Sequence, residues 1–232
     1  MAVKLVKGQK ISLRKQSGET LTSFCVGANW GAIEAYVKVM EGGFLGFGQK
    51  EVERKKVINV DLDLSVLMLN GNGDVVDHIY SPEYNSRFLN QVGLPKGKLA
   101  SRDYALKHSG DDMEGDIGGD DGLDNEVITV DLSKVSSEIQ QIFFFLNNVG
   151  KEDFAQIPFA KIRMYEGTPT RVKQIQATYD VVSDGRYSHH RAMVMGKLYR
   201  HNAEWKFQAI GDPTTDAHIG ETIGRILTQY AK

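Results

Sequence analysis

The sequence predicts an all-β fold, a β-sandwich of two antiparallel or mixed sheets with short helices, one of them at the C-terminus. Apolar and polar residues alternate with a period of two in most segments, and residues typical of turns separate these segments. No unit of a strand followed by a long helix recurs, as a doubly wound α/β fold requires. About ten strands in 232 residues fit one sandwich, so we expect a single domain over residues 1–232.

Composition supports a packed globular protein. The chain is 41% hydrophobic and 25% charged, which excludes collagen-like and wholly disordered chains. Its net charge of −2 provides no positive electrostatic field that would attract nucleic acid. Its apolar runs are far shorter than the roughly 20 residues of a membrane helix. The opening lacks the apolar run of a signal peptide, and the lone Cys25 suits a reducing compartment. We therefore expect a cytoplasmic protein with no transmembrane segment and no nucleic-acid partner.

The clearest strand signal is Val57–Leu69, in which apolar and polar residues alternate and Asp61 and Asp63 share one face. Asn70–Gly73 supplies residues that tolerate a positive φ in a hairpin turn, and Val75–Tyr80 is predicted as the return strand.

Other segments are predicted from the same patterns. The remaining strand candidates are Lys10–Leu13, Leu21–Val26, Val127–Leu132, Gln141–Asn147, Phe159–Tyr165, Val172–Asp180, Met193–Arg200 and Glu204–Ile210. Apolar residues at helical spacing between Ile219 and Tyr230 predict a C-terminal helix that docks on a sheet. The glycine-rich and then basic stretch Gly42–Lys56 is predicted to be a flexible insertion, a long solvated loop.

The most unusual segment is the acidic loop, residues Asp111–Glu126, with eight acids in sixteen residues and no Lys or Arg. Since the whole chain has a net charge of −2, these eight charges leave +6 on the rest of the chain. Like charges about 4 Å apart repel by about 1 kcal/mol even in water. The loop is therefore either open to solvent or neutralised by cations, and its glycines would let it wrap an ion, although its spacing is not that of an EF-hand.

The strand offers a second set of oxygen donors. Asp61 and Asp63 repel one another on one face unless a cation bridges them, and a plain polar outer face is the alternative. Together with the acidic loop, they could close one site. Calcium is favoured over zinc because the cluster contains no Cys and no ligand-spaced His pair, while magnesium and manganese stay open.

Several motifs follow one another along nearly the whole chain. They are the opening Leu5–Leu13, the Val26-Gly27…Trp30 element, Asp61-Leu62-Asp63, Ser109-Gly110-Asp111-Asp112, Asp124-Asn125-Glu126 and the late Gly196–Phe207 hairpin. In this order they resemble the TerD-domain family of bacterial stress and tellurite-resistance proteins. The acidic loop is longer than the family's compact pattern and carries the additional acids Asp116, Asp120 and Asp121.

The resemblance implies a calcium-binding β-sandwich that acts as a non-enzymatic binding or scaffolding module. The calcium ligands it implies are Asp61, Asp63, Asp111, Asp112, Asp124, Asn125 and Glu126. The partners it implies are other tellurite-resistance proteins, some in a membrane-associated complex. The alternative function is a metal-dependent enzyme or a calcium-dependent carbohydrate binder, which would need exposed aromatic residues as a sugar platform.

Overall fold

The computed structural model describes residues 3–5, 7–15, 17–42, 49–181, 185–202 and 204–231. These residues form fourteen strands and two α-helices. The strands are β1 (Val3–Lys4), β2 (Lys10–Ser12), β3 (Ser23–Trp30), β4 (Ile33–Glu41), β5 (Lys50–Ile58), β6 (Leu62–Leu69), β7 (Val75–Ile79), β8 (Leu106–His108), β9 (Glu126–Asp131), β10 (Gln141–Asn148), β11 (Ala160–Thr168), β12 (Arg171–Asp180), β13 (Ala192–His201) and β14 (Glu204–Thr214). The helices are α1 (Ser86–Gln91) and α2 (Ile219–Arg225); a π-helical turn, Ile226–Tyr230, continues α2.

Two six-stranded sheets make the sandwich, which confirms the predicted fold class. The first sheet has the order β1-β12-β11-β3-β9-β8, and the second has the order β2-β14-β13-β10-β6-β7. The β1–β12 pair is parallel, and the other pairs in these sheets are antiparallel. None of the helices in the described segments has the length and apolar character needed to cross a membrane.

Strand β6 shows how the sandwich is layered. Leu64 and Val66 face the core between the sheets, whereas Leu67 and Leu69 pack in a second cluster with α2. Because successive side chains of a strand point to opposite faces, β6 is buried on both sides. The outer face of the second sheet is therefore covered by helices in this region.

The prediction that Val57–Leu69 forms one strand is wrong, because these residues belong to two strands. Strand β5 ends at Ile58, where its pairing with β4 stops, and β6 begins at Leu62, where its pairing with β10 starts. Between them, Val60 is fully buried and its carbonyl accepts a hydrogen bond from Trp30 Nε1 at 2.7 Å. The chain therefore changes from one sheet to another inside an unbroken alternating pattern.

Strands β4 and β5 form a separate two-stranded sheet. The interpretation of Gly42–Lys56 as a loop does not hold for its second half, because Lys50–Lys56 is paired with β4 over its whole length. Residues 43–48 of the predicted insertion lie outside the described residues. Both faces of this hairpin are largely exposed, as the 72% exposure of Tyr36 illustrates. Strand β5 is mostly charged, so no hydrophobic alternation marked it as a strand.

The two helices cover the outer face of the second sheet. The C-terminal helix is present as predicted, and the His218 side chain caps α2 by accepting a hydrogen bond from the Glu221 N–H. Helix α1 was not predicted because six residues are too few to show a helical period; its cap is Asn85, whose side chain accepts hydrogen bonds from two backbone N–H groups.

An ion pair anchors the segment that connects β14 to α2. Arg225 donates to both carboxylate oxygens of Asp216 at 2.6 and 2.9 Å, and the Thr214 hydroxyl donates to Asp216 at 2.8 Å. Burial acts to raise the pKa of Asp216, but the bonds from Arg225 and Thr214 outweigh it and lower the pKa below its usual 3.8. This carboxylate therefore stabilises the folded state when it is charged.

The substitution Asp216→Asn should lower the free energy of unfolding by about 2 kcal/mol at pH 7, because it removes a charged, two-point hydrogen bond. Since the folded-state pKa is depressed, the difference from the parent should be full above the unfolded pKa and vanish as the pH falls through the folded one. Urea unfolding at several pH values measures this, with the exposed Glu138→Gln as control. A loss that stays the same at pH 2 would contradict the ionic origin.

Candidate metal site

Three carboxylates converge where the acidic loop meets β6. Asp61 precedes β6, Asp63 lies within it and Asp111 lies in the loop that follows β8. One oxygen of each lies within 4.8 Å of the other two. Calcium holds its oxygen ligands at about 2.3–2.6 Å, so ligands on opposite sides of one ion are about 5 Å apart. The three oxygens, named here the carboxylate triad, are therefore close enough to share one ion.

The strand geometry explains why Asp63 belongs to the triad. It lies on the same face of β6 as Leu67 and Leu69, the face that the helices cover, and is only 3% exposed. Asp61 is held by its backbone, whose carbonyl accepts a hydrogen bond from the Val149 N–H at 2.9 Å. The alternative of a plain polar outer face is thus wrong for Asp63, because tertiary packing covers that face.

The triad is electrostatically unfavourable without a cation. One carboxylate oxygen of Asp61 and one of Asp111 are buried and have no hydrogen-bond partner among the described residues. Burial and the charges of Asp111 and Asp112 raise the pKa of Asp61 to about 6. Burial and the nearby Glu126 raise the pKa of Asp63 well above its usual value. A hard divalent cation would satisfy both the unpartnered oxygens and the charge repulsion, so the residues fit such an ion.

Glu126 lies behind the triad and is fully buried at the start of β9. Its Oε2 accepts a hydrogen bond from the Leu64 N–H at 2.7 Å and lies 3.3 Å from His108 Nε2, while its Oε1 accepts from the Asp112 N–H at 3.2 Å. Burial raises the pKa of Glu126 to about 9 despite these bonds. Glu126 therefore joins the two sheets and the acidic loop, and it lies outside the group of three that converges.

Asp112 and Asn125 give the acidic loop its shape. Asp112 Oδ1 accepts hydrogen bonds from the N–H groups of Glu114 and Gly115 at 2.9 and 3.0 Å. Asn125 Oδ1 accepts from the Trp30 N–H at 2.8 Å, and its Nδ2 donates to Asp116 at 3.0 Å. Both side chains hold backbone and neighbouring loop residues in place, and neither belongs to the triad.

Part of the negative charge of the loop is neutralised by the protein itself. Asp124, whose side chain is fully buried, accepts a hydrogen bond from Arg163 Nε at 2.7 Å, and Asp120 forms an exposed ion pair with Lys161. Both cations come from β11. The two alternatives for the acidic loop, open to solvent or neutralised by a bound metal ion, were therefore incomplete. Lys and Arg side chains from another strand also neutralise part of its charge.

The described residues contain a second group of three carboxylates, Asp116, Asp120 and Asp121, with oxygens within 4.8 Å of one another. Asp120 and Asp121 are exposed, and Asp120 already has Lys161 as its partner. These are the acids that lengthen the loop. This second group has the oxygen donors to bind a cation, but its carboxylates are more exposed to water than those of the triad.

A cavity of about 310 Å³ opens beside the triad, and Asp61, Asp63 and Asp111 form one of its walls. Two further polar residues that line this cavity, Tyr84 and Asn147, were not predicted from the sequence. Asn147 lies opposite Asp63 in the pairing of β10 with β6, so only the strand register identifies it. Burial and the Asp63 charge raise the pKa of Tyr84 well above its usual value, so its hydroxyl keeps its proton.

The two tryptophans do not provide a sugar platform. Trp30 is fully buried in the core, and Trp205 is partly buried with the Arg200 guanidinium 4.4 Å from its ring centre.

The chain is a two-sheet β-sandwich with a candidate metal site where the acidic loop packs against β6. The model of the TerD domain matches residues 1–223, and the chain therefore belongs to the TerD family. It is similar to the stress response protein SCP2 of Bacillus subtilis (strain 168), with 31% identity over 98% of this chain and 100% of that protein. It is also 32% identical to the tellurium resistance protein TerD of Serratia marcescens, over 91% of this chain and 90% of that one.

A solved structure shows the same fold. The crystal structure of a TerD homologue from Streptomyces coelicolor A3(2) superimposes with a TM-score of 0.56 at 13% identity, covering 91% of this chain and 98% of that one. The family predicted from the ordered motifs is confirmed by the domain match over residues 1–223 and by the relatives above 30% identity.

Replacing Arg163 by Met should lower the free energy of unfolding by about 3 kcal/mol, because the buried Asp124 carboxylate loses its charged partner. The matched control is Lys161→Met, two residues away on the same strand and paired with the same loop. Its ion pair is exposed, so a change of about 0.5 kcal/mol is expected. Chemical denaturation of both variants gives the comparison, and equal losses would contradict the assigned difference in burial.

Proposed function

We propose that this TerD-family chain binds Ca²⁺ through Asp61, Asp63 and Asp111 and serves as a non-enzymatic module in stress response and tellurite resistance. The observation that carries the proposal is the convergence of three carboxylate oxygens, with unpartnered oxygens on Asp61 and Asp111. The names of the relatives, a stress response protein and a tellurium resistance protein, supply the biological setting.

Calcium fits the chemistry of the donors. The triad offers only carboxylate oxygens, which hard cations prefer, and contains neither Cys nor His. Calcium takes six to eight oxygens, and the adjoining cavity leaves room for the remaining ligands to come from water or another molecule. Bound there, the cation would cancel the repulsion within the triad and link the acidic loop to β6.

The roles of the other four predicted ligands follow from their contacts. Asp112 and Asn125 shape the loop, Glu126 ties it to β6, and Asp124 fastens it to β11 through Arg163. We assign them to positioning the loop around the triad.

A binding role is favoured over catalysis by the state of the nearest acid–base pair. Glu126 and His108 are both buried, and Gly110 N–H donates to His108 Nδ1 at 3.1 Å, which leaves the proton of the neutral ring on Nε2, facing Glu126. Both groups are engaged in bonds that hold the loop. We propose that the ordered loop presents a surface to other tellurite-resistance proteins, some of them in a membrane-associated complex, and that the module works in the cytoplasm.

Calcium should raise the thermal stability of the protein. Because only the folded chain holds the triad together, calcium at a hundredfold excess over its dissociation constant should add about 2.7 kcal/mol to the free energy of unfolding. Calorimetric titration and thermal melting with calcium or with chelator measure this, with magnesium as the competing ion. No heat and an unchanged melt at millimolar calcium would refute the proposal.

The substitution Asp63→Asn should have opposite effects with and without calcium. In chelator, it should stabilise the protein by about 1 kcal/mol, because a buried charge is replaced by a neutral group of the same shape. In calcium, it should lose most of the stabilisation that the parent gains, since one ligand is gone.

Asp111→Asn should also weaken calcium binding, whereas Asp121→Asn, an exposed loop residue in the second carboxylate group, is the matched control. Calorimetry on both variants gives the dissociation constants. If Asp121→Asn lost as much affinity as Asp111→Asn, the ion would lie in the second group instead.

A further inference from the structure

We propose that the cavity beside the triad binds a neutral polyhydroxylated molecule about the size of one sugar ring, held through a pair of adjacent hydroxyl groups. This inference rests on the proposed calcium site and names the class of ligand that site takes.

The cavity has the dimensions and the mixed lining of a small-molecule site. Its volume of about 310 Å³ is at the lower end of the roughly 300–1,000 Å³ of ligand pockets. Its lining contains both carboxylates and the apolar groups of Phe88, Val149 and Ile219. A ligand that fits must present oxygen atoms to the polar groups and carbon-bound hydrogens to the apolar ones.

An unpartnered buried amide points to a ligand independently of the acids. Asn147 is only 2% exposed, and its Nδ2 donates to the Thr222 hydroxyl at 2.8 Å. Its Oδ1 has no hydrogen-bond partner in the described part of the chain, although the residue lines the cavity. Leaving a buried acceptor unsatisfied costs about 1–3 kcal/mol, so a donor from the cavity would recover that loss.

A complementary donor lies in the same cavity. The Tyr84 hydroxyl is buried beside the Asp63 carboxylate and, within the described segments, makes no hydrogen bond of normal geometry. Asn147 Oδ1 requires a ligand that donates, and the Tyr84 O–H can donate to one that accepts. A hydroxyl group does both, which a carbonyl or an ammonium group does not.

The charge balance favours a neutral ligand over an anion. Three carboxylates and one divalent cation leave a net charge of −1, and the carboxylate of Glu83 lines the same cavity. An anion would therefore be repelled after the ion is bound. Two adjacent hydroxyls can supply oxygens that calcium still needs while donating hydrogen bonds to Asn147 or to the carboxylates.

The test measures the binding of methyl α-D-mannoside and methyl α-D-galactoside to the full chain by titration NMR, with calcium saturating or removed. Binding in the millimolar range that requires calcium is expected for at least one glycoside. In the same assay, trans-1,2-cyclohexanediol should bind and cyclohexanol should not, because only the former has adjacent hydroxyls.

The site is located by filling the cavity. Val149 is 49% exposed, so Val149→Trp narrows the cavity from its rim and should weaken glycoside binding about tenfold or more. The matched control is Val75→Trp, at a position that is 47% exposed and outside the cavity lining. Because Val149 contacts Asp61 through its backbone N–H, which the substitution keeps, calorimetry should show unchanged calcium affinity in both variants.

The outcomes separate this inference from the calcium proposal. If calorimetry shows calcium binding but no glycoside or diol binds, the ligand inference is overturned and the calcium site stands. Equal glycoside binding by both tryptophan variants places the sugar elsewhere and also overturns it. If inorganic phosphate binds in a calcium-dependent way that Val149→Trp removes, and the glycosides do not, the ligand is an anion and the charge argument fails. If no calcium binds, both proposals fall.

Discussion

The candidate site depends on one buried carboxyl group, that of Glu126, which connects the two sheets and the acidic loop. Strand β7 pairs with β6 only from Val66 onward, and the Glu126 side chain reaches from the first sheet to accept a hydrogen bond from the N–H of Leu64. Its other oxygen accepts from the N–H of Asp112 in the loop. A fully buried carboxyl group is costly, and its hydrogen bonds offset that cost only while the loop stays against β6.

This connection concentrates negative charge in one place. The same bonds that hold the loop bring Asp111 next to Asp61 and Asp63 in a poorly solvated corner of the sandwich. Protein stability alone would not favour such an arrangement, and structural elements that break local rules are expected where a site is formed. The protein neutralises the outer part of the loop with Arg163 and Lys161, and no Lys or Arg among the described residues forms an ion pair with the triad. The proposed function assigns the charge of this inner part to an external cation.

The helix layer encloses a cavity beside the carboxylate triad. Asp63 and Asn147 face the helices, so α1, the loop before it and the start of α2 become the walls around the triad. Helix α2 is fastened to the sheet by the ion pair of Asp216 and Arg225, and the capping residue His218 lines the same cavity. The packing that completes the fold therefore also shapes the space in which a ligand would meet the ion.

The sequence by itself determined the sandwich, most of its strands, the C-terminal helix and the family, because alternation, turn residues and ordered motifs are local properties of the chain. It also indicated where the acids are concentrated. Only the tertiary structure decided that Asp61, Asp63 and Asp111 converge while Asp124 turns to Arg163, that β5 and β6 are separate strands, and that Asn147 faces the triad. These facts depend on which strands pair and what covers each face, and contacts between residues distant in sequence leave no periodic pattern in the chain.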